Sequence, residues 1–408
     1  MLTLHHPELM HTVLNYPIGL YALTIKGNNR SALVVKANKE ALLASQLNKG
    51  FKMYVVPMDV GGKVTVGIMS AFFDDCDEPL VIYTPLFDDA ASTLLKQVVL
   101  GGELDVHLFD ECNRELLGYS ALVRVPPITR VHLEQAHFLP FEQATARAML
   151  DKLPVWFGLR NVLDDAAAIA VNFGETLFPD DLFIQDLRPE HHTFQGSHGF
   201  SHTTLVRHEP GSFQEHDIVR LLHRIFPLKQ IYLGPLRTSD KEEVADVIVI
   251  TDTRILLIQA KDSPNTEQVL RNTLDRKRAT ALKSLNKAIE QVKGAVRYTR
   301  SHFPIMRMLI SGEEVAVSID HLELTSLIVI KEMFNDQYGQ YSLPLLQLAE
   351  KTRVPCIALD YSELNMYTAH LASEEDFFEA YNRVFTVGVE RKEFPRLRFG
   401  VGDSRTNS

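Results

Sequence analysis

The residues in this chain best suited to chemistry lie in ADVIVITDTRILLIQAKD, residues 245–262. Two apolar runs flank Thr251-Asp252-Thr253-Arg254, and if Asp252 and Thr253 form a two-residue hairpin loop, Asp246 falls opposite Gln259. Opposed side chains in such a ribbon have Cβ atoms ~4.5–5.5 Å apart, and Lys261, two residues past Gln259, leaves the strand on the same face. One face of the ribbon's end therefore presents a carboxylate, an amide and an ammonium. Val247–Ile250 and Ile255–Ile258 are apolar at every position, the pattern of strands covered on both faces. Polar groups at the end of such strands need partners, because a buried unpaired charge is costly. An Asp246–Lys261 ion pair with Gln259 bonded to backbone would meet that need. So would a hard divalent cation such as Mg²⁺, taking oxygen from Asp246 and the Gln259 carbonyl beside water and a phosphate oxygen, with Lys261 near the reacting phosphate.

A second carboxylate would strengthen a cation site whose amide binds more weakly than an acid. Glu215 is the candidate. It precedes Ile218, Val219 and Leu222 at helical spacing and shares their apolar face. Ser212-Phe-Gln-Glu215 also matches a capping box, in which Glu215 would bond back to the helix's first amide. Both roles remain open at this point. Strand parity turns Glu243 away from Asp246, whereas Glu242 has the right parity but falls beyond the sheet.

The elements that must position these groups follow from periodicity. Helix 212–226, strands around QIYLGPL, EVADVIVI and RILLIQAK, a long basic helix to about Arg300, strand LTSLIVIK, helix LPLLQLAEKT, strand PCIALDY and helix EEDFFEAYNRVF give α-β-β-β-α-β with an appended α-β-α. That order predicts a mixed sheet with helices on both faces in residues 206–408. Residues 1–125 read as a separate α+β domain, with turns at Gly61-Gly62 and Asn113-Arg114. Residues 126–177 read as a helical section that includes RNVLDDAAAIAVNF and is anchored by the lone Trp156. Residues 178–205 lose periodicity and read as a linker or irregular loop. No internal repeat and no catalytic motif is found before residue 206. His198 and His202, four apart, would suit zinc only on a helix, which Gly196 and Gly199 disfavour.

An acid on one strand, a hairpin, then Gln-Ala-Lys closing an apolar strand, all preceded by a helix carrying Glu, resembles the PD-(D/E)XK nuclease superfamily. The Gln-Ala-Lys form is similar to Mrr-type restriction endonucleases and to nuclease-related (NERD) domains. The resemblance covers roughly residues 206–390. It implies an αβββαβ restriction-endonuclease-like core, Mg²⁺-dependent cleavage of DNA with Mn²⁺ as a substitute, and Asp246, Gln259 and Lys261 as active-site positions, in the context of restriction, phage defence or repair. Ala245 stands where the family often has proline, and Gln259 where an acid is commoner. A fold of this kind that binds nucleic acid or assembles with partners without turnover is the alternative expectation.

Charge and composition fit a DNA-acting protein only locally. The 408 residues carry a formal charge of −10, which excludes a general polycation, yet residues 271–300 hold nine Lys or Arg against only Asp275 and Glu290. In that stretch Leu274, Ala281, Leu285, Ile289, Val292 and Val296 form one apolar stripe. Arg276, Lys277, Lys283, Lys287 and Lys293 occupy the rest of the helix, where they would contact phosphates or simply be solvated. Three cysteines without a C-x-x-C exclude a disulfide framework. No basic leader precedes an apolar segment and no run approaches the ~20 apolar residues that span a bilayer, so a cytoplasmic protein without a membrane partner is expected. The N-terminal region is left as the surface for self-association or for a partner protein.

Overall fold

The computed structural model describes residues 1–25, 31–73, 79–179, 193–197 and 205–397. His198 and His202 lie outside the described residues, and with them the zinc idea. The chain is mixed α/β throughout, as its patterning predicts.

The first half opens with helices α1 (Leu2–His5) and α2 (Met10–Asn15) and builds one eight-stranded sheet. Its strands are β1 (Gly19–Thr24), β2 (Ser31–Lys36), β3 (Gly50–Val60), β4 (Lys63–Phe72), β5 (Leu80–Pro85), β6 (Glu103–Phe109), β7 (Glu115–Arg124) and β8 (Ile169–Thr176), in the order β1-β2-β6-β7-β8-β3-β4-β5. Gly61 and Gly62, at φ +62° and +80°, make the two-residue loop joining β3 to β4, a backbone shape that a side chain would strain. Helix α3 (Lys39–Leu47) is capped by the Asn38 side chain, which accepts from the Ala41 amide at 3.0 Å, and α4 (Ala90–Gly101) is capped likewise by Asp89. Helices α5 (Pro127–Gln135), α6 (Gln143–Gly158) and α7 (Val162–Ala166) follow. Trp156 packs from α6 onto Tyr54 with ring centroids 6.0 Å apart.

One expectation is corrected here. RNVLDDAAAIAVNF is not a continuous helix: it breaks after Ala166, and β8 enters the middle of the sheet between β7 and β3. Alanines favour helix locally, but Ile169 and Val171 alternate onto the buried face and complete two ladders, which outweighs local propensity.

The second half has the expected core. Helix α8 (Gly211–Leu222) leads into β9 (Ile231–Leu233), β10 (Leu236–Arg237), β11 (Val247–Ile250) and β12 (Arg254–Lys261). After α9 (Glu267–Leu270) and the long α10 (Leu274–Ser301) come β13 (Ile305–Ile310), β14 (Glu313–Ser318), β15 (Glu323–Ile330), α11 (Tyr338–Thr352), β16 (Cys356–Asp360), α12 (Tyr361–His370) and α13 (Glu374–Arg391). The main sheet runs β16-β15-β12-β11-β9, with β9, β11 and β12 antiparallel and β15 and β16 parallel to β12. Periodicity did not reveal the β13–β14 hairpin, which pairs with β10 as a small separate sheet.

Buried charge joins the two halves. Arg114, after β6, grips Asp217 of α8 through two bonds of 2.8 and 3.0 Å, and its Nε bonds Asp110 at 2.7 Å. Arg207 reaches the same Asp217 at 3.4 Å, and Lys331, beyond β15, pairs with Glu40 of α3 at 3.1 Å. Burial alone would raise Asp217, but Arg114, Lys39 and Arg207 outweigh it and hold the carboxyl far below the usual range. Leu205 and Leu270 complete the apolar core of the first half, so the halves also share packing.

Candidate active site

The site begins with the turn between β11 and β12. The Thr251 side chain accepts from the amides of Thr253 and Arg254 at 3.3 and 3.1 Å, and the Thr251 amide donates to the Arg254 carbonyl at 2.9 Å. The loop is thus the two-residue one that the spacing predicts. Val247 pairs with Ile258 and Ile250 with Ile255, the register that sets Asp246 against Gln259. Past the ladder, the Asp246 carbonyl accepts from Gly234, while its side chain turns to the opposite strand.

Asp246 is 3% exposed. Its Oδ2 accepts the Ala260 amide at 2.5 Å and lies 3.3 Å from Lys261 Nζ, which also donates to the Ala260 carbonyl at 2.7 Å. Gln259 is 2% exposed, and its Oε1 has no hydrogen-bond partner. The acid, amide and ammonium therefore gather at the end of one ribbon. The ion pair that chemistry allows is formed, whereas the backbone bond that would have satisfied the Gln259 carbonyl is not. A buried acceptor without a donor is expensive unless something else meets it.

Of the two roles open to Glu215, the capping role is absent. Helix α8 starts at Gly211 after Pro210, with no side-chain cap, so Ser212 lies inside the helix and the capping box does not form. Burial pushes the Glu215 carboxyl up to about 8, helped by the negative charges of Asp246 and Glu243 and opposed by Lys261. Glu243 corrects the parity argument. Residues 239–246 precede the strand, Glu243 makes only an isolated bridge to Leu236, and its side chain comes close enough to Asp246 to share a proton. Its carboxyl is raised by burial first and by Asp246 second. Glu242 turns outward to Arg237 at 3.2 Å.

Among the described residues, no three His, Cys, Asp or Glu side chains converge as a complete metal cage. A cation here would rest on Asp246, Glu215 and the unpartnered Gln259 carbonyl, a set that fits Mg²⁺, which keeps several waters and needs one or two carboxylates plus phosphate oxygens.

Helix α10 separates the five predicted basic residues. Leu285, Ile289, Val292 and Val296 are buried against the sheet, while Leu274 and Ala281 are half-buried where the first turns overhang a cavity. Arg276 and Lys277 line that cavity together with Lys261. Lys283 and Lys287 face solvent on the side opposite the apolar stripe, and Lys293 pairs with Glu290 at 2.5 Å. The contacts of Arg114, Lys39 and Glu40 with the second half had no signal in the sequence, since each partner lies in another segment of the chain.

Comparison with family models, curated proteins and solved structures finds no match to this chain. No described helix is long and apolar enough to cross a membrane.

Proposed function

We propose that the chain is a metal-dependent nuclease that hydrolyses DNA phosphodiester bonds at Asp246, Gln259 and Lys261, with Glu215 beside them. The observation that carries the reading is the buried Gln259 carbonyl, left without a donor next to a carboxylate and an ammonium. Asp246, Gln259 and Glu215 would hold Mg²⁺ or Mn²⁺, which when bound lowers the pKa of its water and offsets charge on the phosphate. Lys261, kept in place by Asp246 and the Ala260 carbonyl, presents a cation to the oxygens on which charge grows during displacement. Asp246 in turn is aimed by the Ala260 amide. Glu215, its carboxyl raised to about 8 by burial, would supply a second carboxylate oxygen to a bound cation, whose charge would favour the ionised form. Arg276 and Lys277, beside the cavity that Lys261 lines, would contact phosphates of the bound strand. Lys283, Lys287 and Lys293 would add only longer-range attraction.

A second reading, a nuclease fold that binds nucleic acid or assembles without turnover, is favoured by one feature. Asp246 Oδ2 is already held by both Lys261 and the Ala260 amide, and among the described residues no full set of metal-binding side chains surrounds it. The two readings separate in a gel assay with plasmid, linear duplex, single-stranded DNA and RNA, with and without Mg²⁺. The nuclease reading expects Mg²⁺-dependent cutting of DNA that Lys261→Ala abolishes. Equal cutting by Lys261→Ala removes the assignment, and binding without cutting by the wild type selects the second reading.

A further inference from the structure

We propose that the cavity beside Lys261 receives one unpaired nucleotide of the substrate strand, so that single-stranded or frayed DNA is engaged in preference to intact duplex. This rests on the nuclease reading and adds the substrate class to it. The cavity has a volume of about 210 Å³, smaller than the ~300 Å³ at which pockets for drug-sized ligands begin. It suits a single base, not a base pair. Lys261, Arg276 and Lys277 stand on its boundary, and Phe334 offers an aromatic surface with the Arg278 guanidinium 6.0 Å from its ring centroid. Cations that track a backbone beside an aromatic face are the usual equipment for unpaired strands.

One wall comes from the first half of the chain and bears on the strandedness. Glu40 and Leu80 line the cavity from that half, and Glu40 pairs with Lys331, which also lines it, at 3.1 Å. With Arg114 clamped on Asp217, two residues along α8 from Glu215, that wall is fixed to the elements that carry the site. A base stacked and paired in a duplex would have to leave its helix to enter, whereas an unpaired base enters without that cost. The cavity also contains Asp262 and Glu332, which would repel phosphate if ionised. Burial raises both carboxyls, Glu332 to about 7 with Glu40 contributing, so Glu332 can offer a proton to a base edge near neutral pH.

The test uses the full chain and a fluorescently labelled short DNA, single-stranded or as a blunt duplex of the same sequence. Binding is followed by anisotropy with Ca²⁺ in place of Mg²⁺, and cleavage in Mg²⁺ is measured separately. The single strand is expected to bind roughly 5- to 150-fold more tightly than the duplex, the range one stacked base supplies. Thr280→Trp, which fills the cavity from α10, should bring the two affinities together. Lys277→Gln, which leaves packing intact, should weaken the single strand more than the duplex and covers the case in which Thr280→Trp does not fold. Equal wild-type affinities, or a preference unchanged in the folded variants, would overturn the proposal. Lys261-dependent cutting of duplex as fast as of single strand would also overturn it while leaving the nuclease reading in place. Absence of cutting on every substrate would remove the nuclease reading alone, because the binding preference is read without turnover.

Discussion

Replacing Lys261 by methionine separates what the Asp246–Lys261 pair does for folding from what it would do for the proposed cleavage. The Asp246 side chain is 4% exposed and that of Lys261 18%, with 3.3 Å between Oδ2 and Nζ. Removing one partner of a buried pair costs ~3–5 kcal/mol, mostly because the other charge stays buried. Lys261 is partly wet and the Ala260 amide still donates to Asp246, so the lower end applies, about 3 kcal/mol. For a domain of this size that lowers the melting temperature by roughly 6–12 °C. Asp246→Asn/Lys261→Met removes both charges and should recover most of the loss, since an amide can be buried more cheaply than a carboxylate. Cleavage should not recover: deleting a group that stabilises developing charge costs about 10²–10³ in rate, and the double variant also lacks an acid that would hold the cation. Thermal melts with and without Mg²⁺, together with cleavage rates for the wild type and both variants, provide the assay. A Lys261→Met protein that melts with the wild type would show that the pair contributes nothing to stability, and a double variant that cuts DNA normally would refute the catalytic argument.

Glu215→Gln tests the burial of that carboxyl through pH. Its pKa is about 8 in the fold against an ordinary 4.5, so the folded state holds the proton more tightly, and the contribution present below 4.5 is lost as pH rises towards 8. Melting curves should therefore show Glu215→Gln gaining on the wild type between pH 5 and 9, and the reverse trend would contradict the placement of Glu215. Gln259→Leu removes the unpartnered carbonyl; it should hold or raise the melting temperature without divalent ions and lose the rise that Mn²⁺ gives the wild type, as measured by a thermal-shift titration. Arg114→Met leaves Asp217 with only Arg207 and Lys39, and urea unfolding should show a loss of ~3–5 kcal/mol; a change under 1 kcal/mol would mean that the halves are joined by apolar packing alone. Lys283→Gln/Lys287→Gln should reduce the slope of log affinity against log salt by at most about 1.4 for single-stranded DNA, with the cleavage rate at saturation unchanged.

The ribbon that carries the site was legible because its instructions are local. Two all-apolar runs of four residues, separated by polar residues, leave few registers, and a slip of one residue would turn every side chain to the other face. That is why the register sets Asp246 against Gln259 and why Asp246 pairs with Lys261. The α10 stripe and the β-β-β-α-β order were legible for the same reason, periodicity matched to burial. Local rules failed where tertiary contacts overrode them. The Ser212–Glu215 cap is a complete motif that does not form, because α8 begins two residues before that cap would start it and Glu215 lies near Asp246. The helix-like run after Asn161 stops at Ala166, and Ile169–Thr176 becomes a strand because an eight-stranded sheet has a place for it. Glu243 escapes strand parity by lying outside the ladder. The sequence by itself determined the ribbon, its acid, amide and lysine, and the basic face of one helix. Only the tertiary structure decided that Glu215 and Glu243 join them, that Arg114 and Glu40 from a distant segment fix one wall of the cavity, and that the Gln259 carbonyl is left open. Those outcomes depend on burial and charge shared between separate segments, more than a hundred residues apart for Arg114 with Asp217 and Glu40 with Lys331, and no spacing along the chain encodes them.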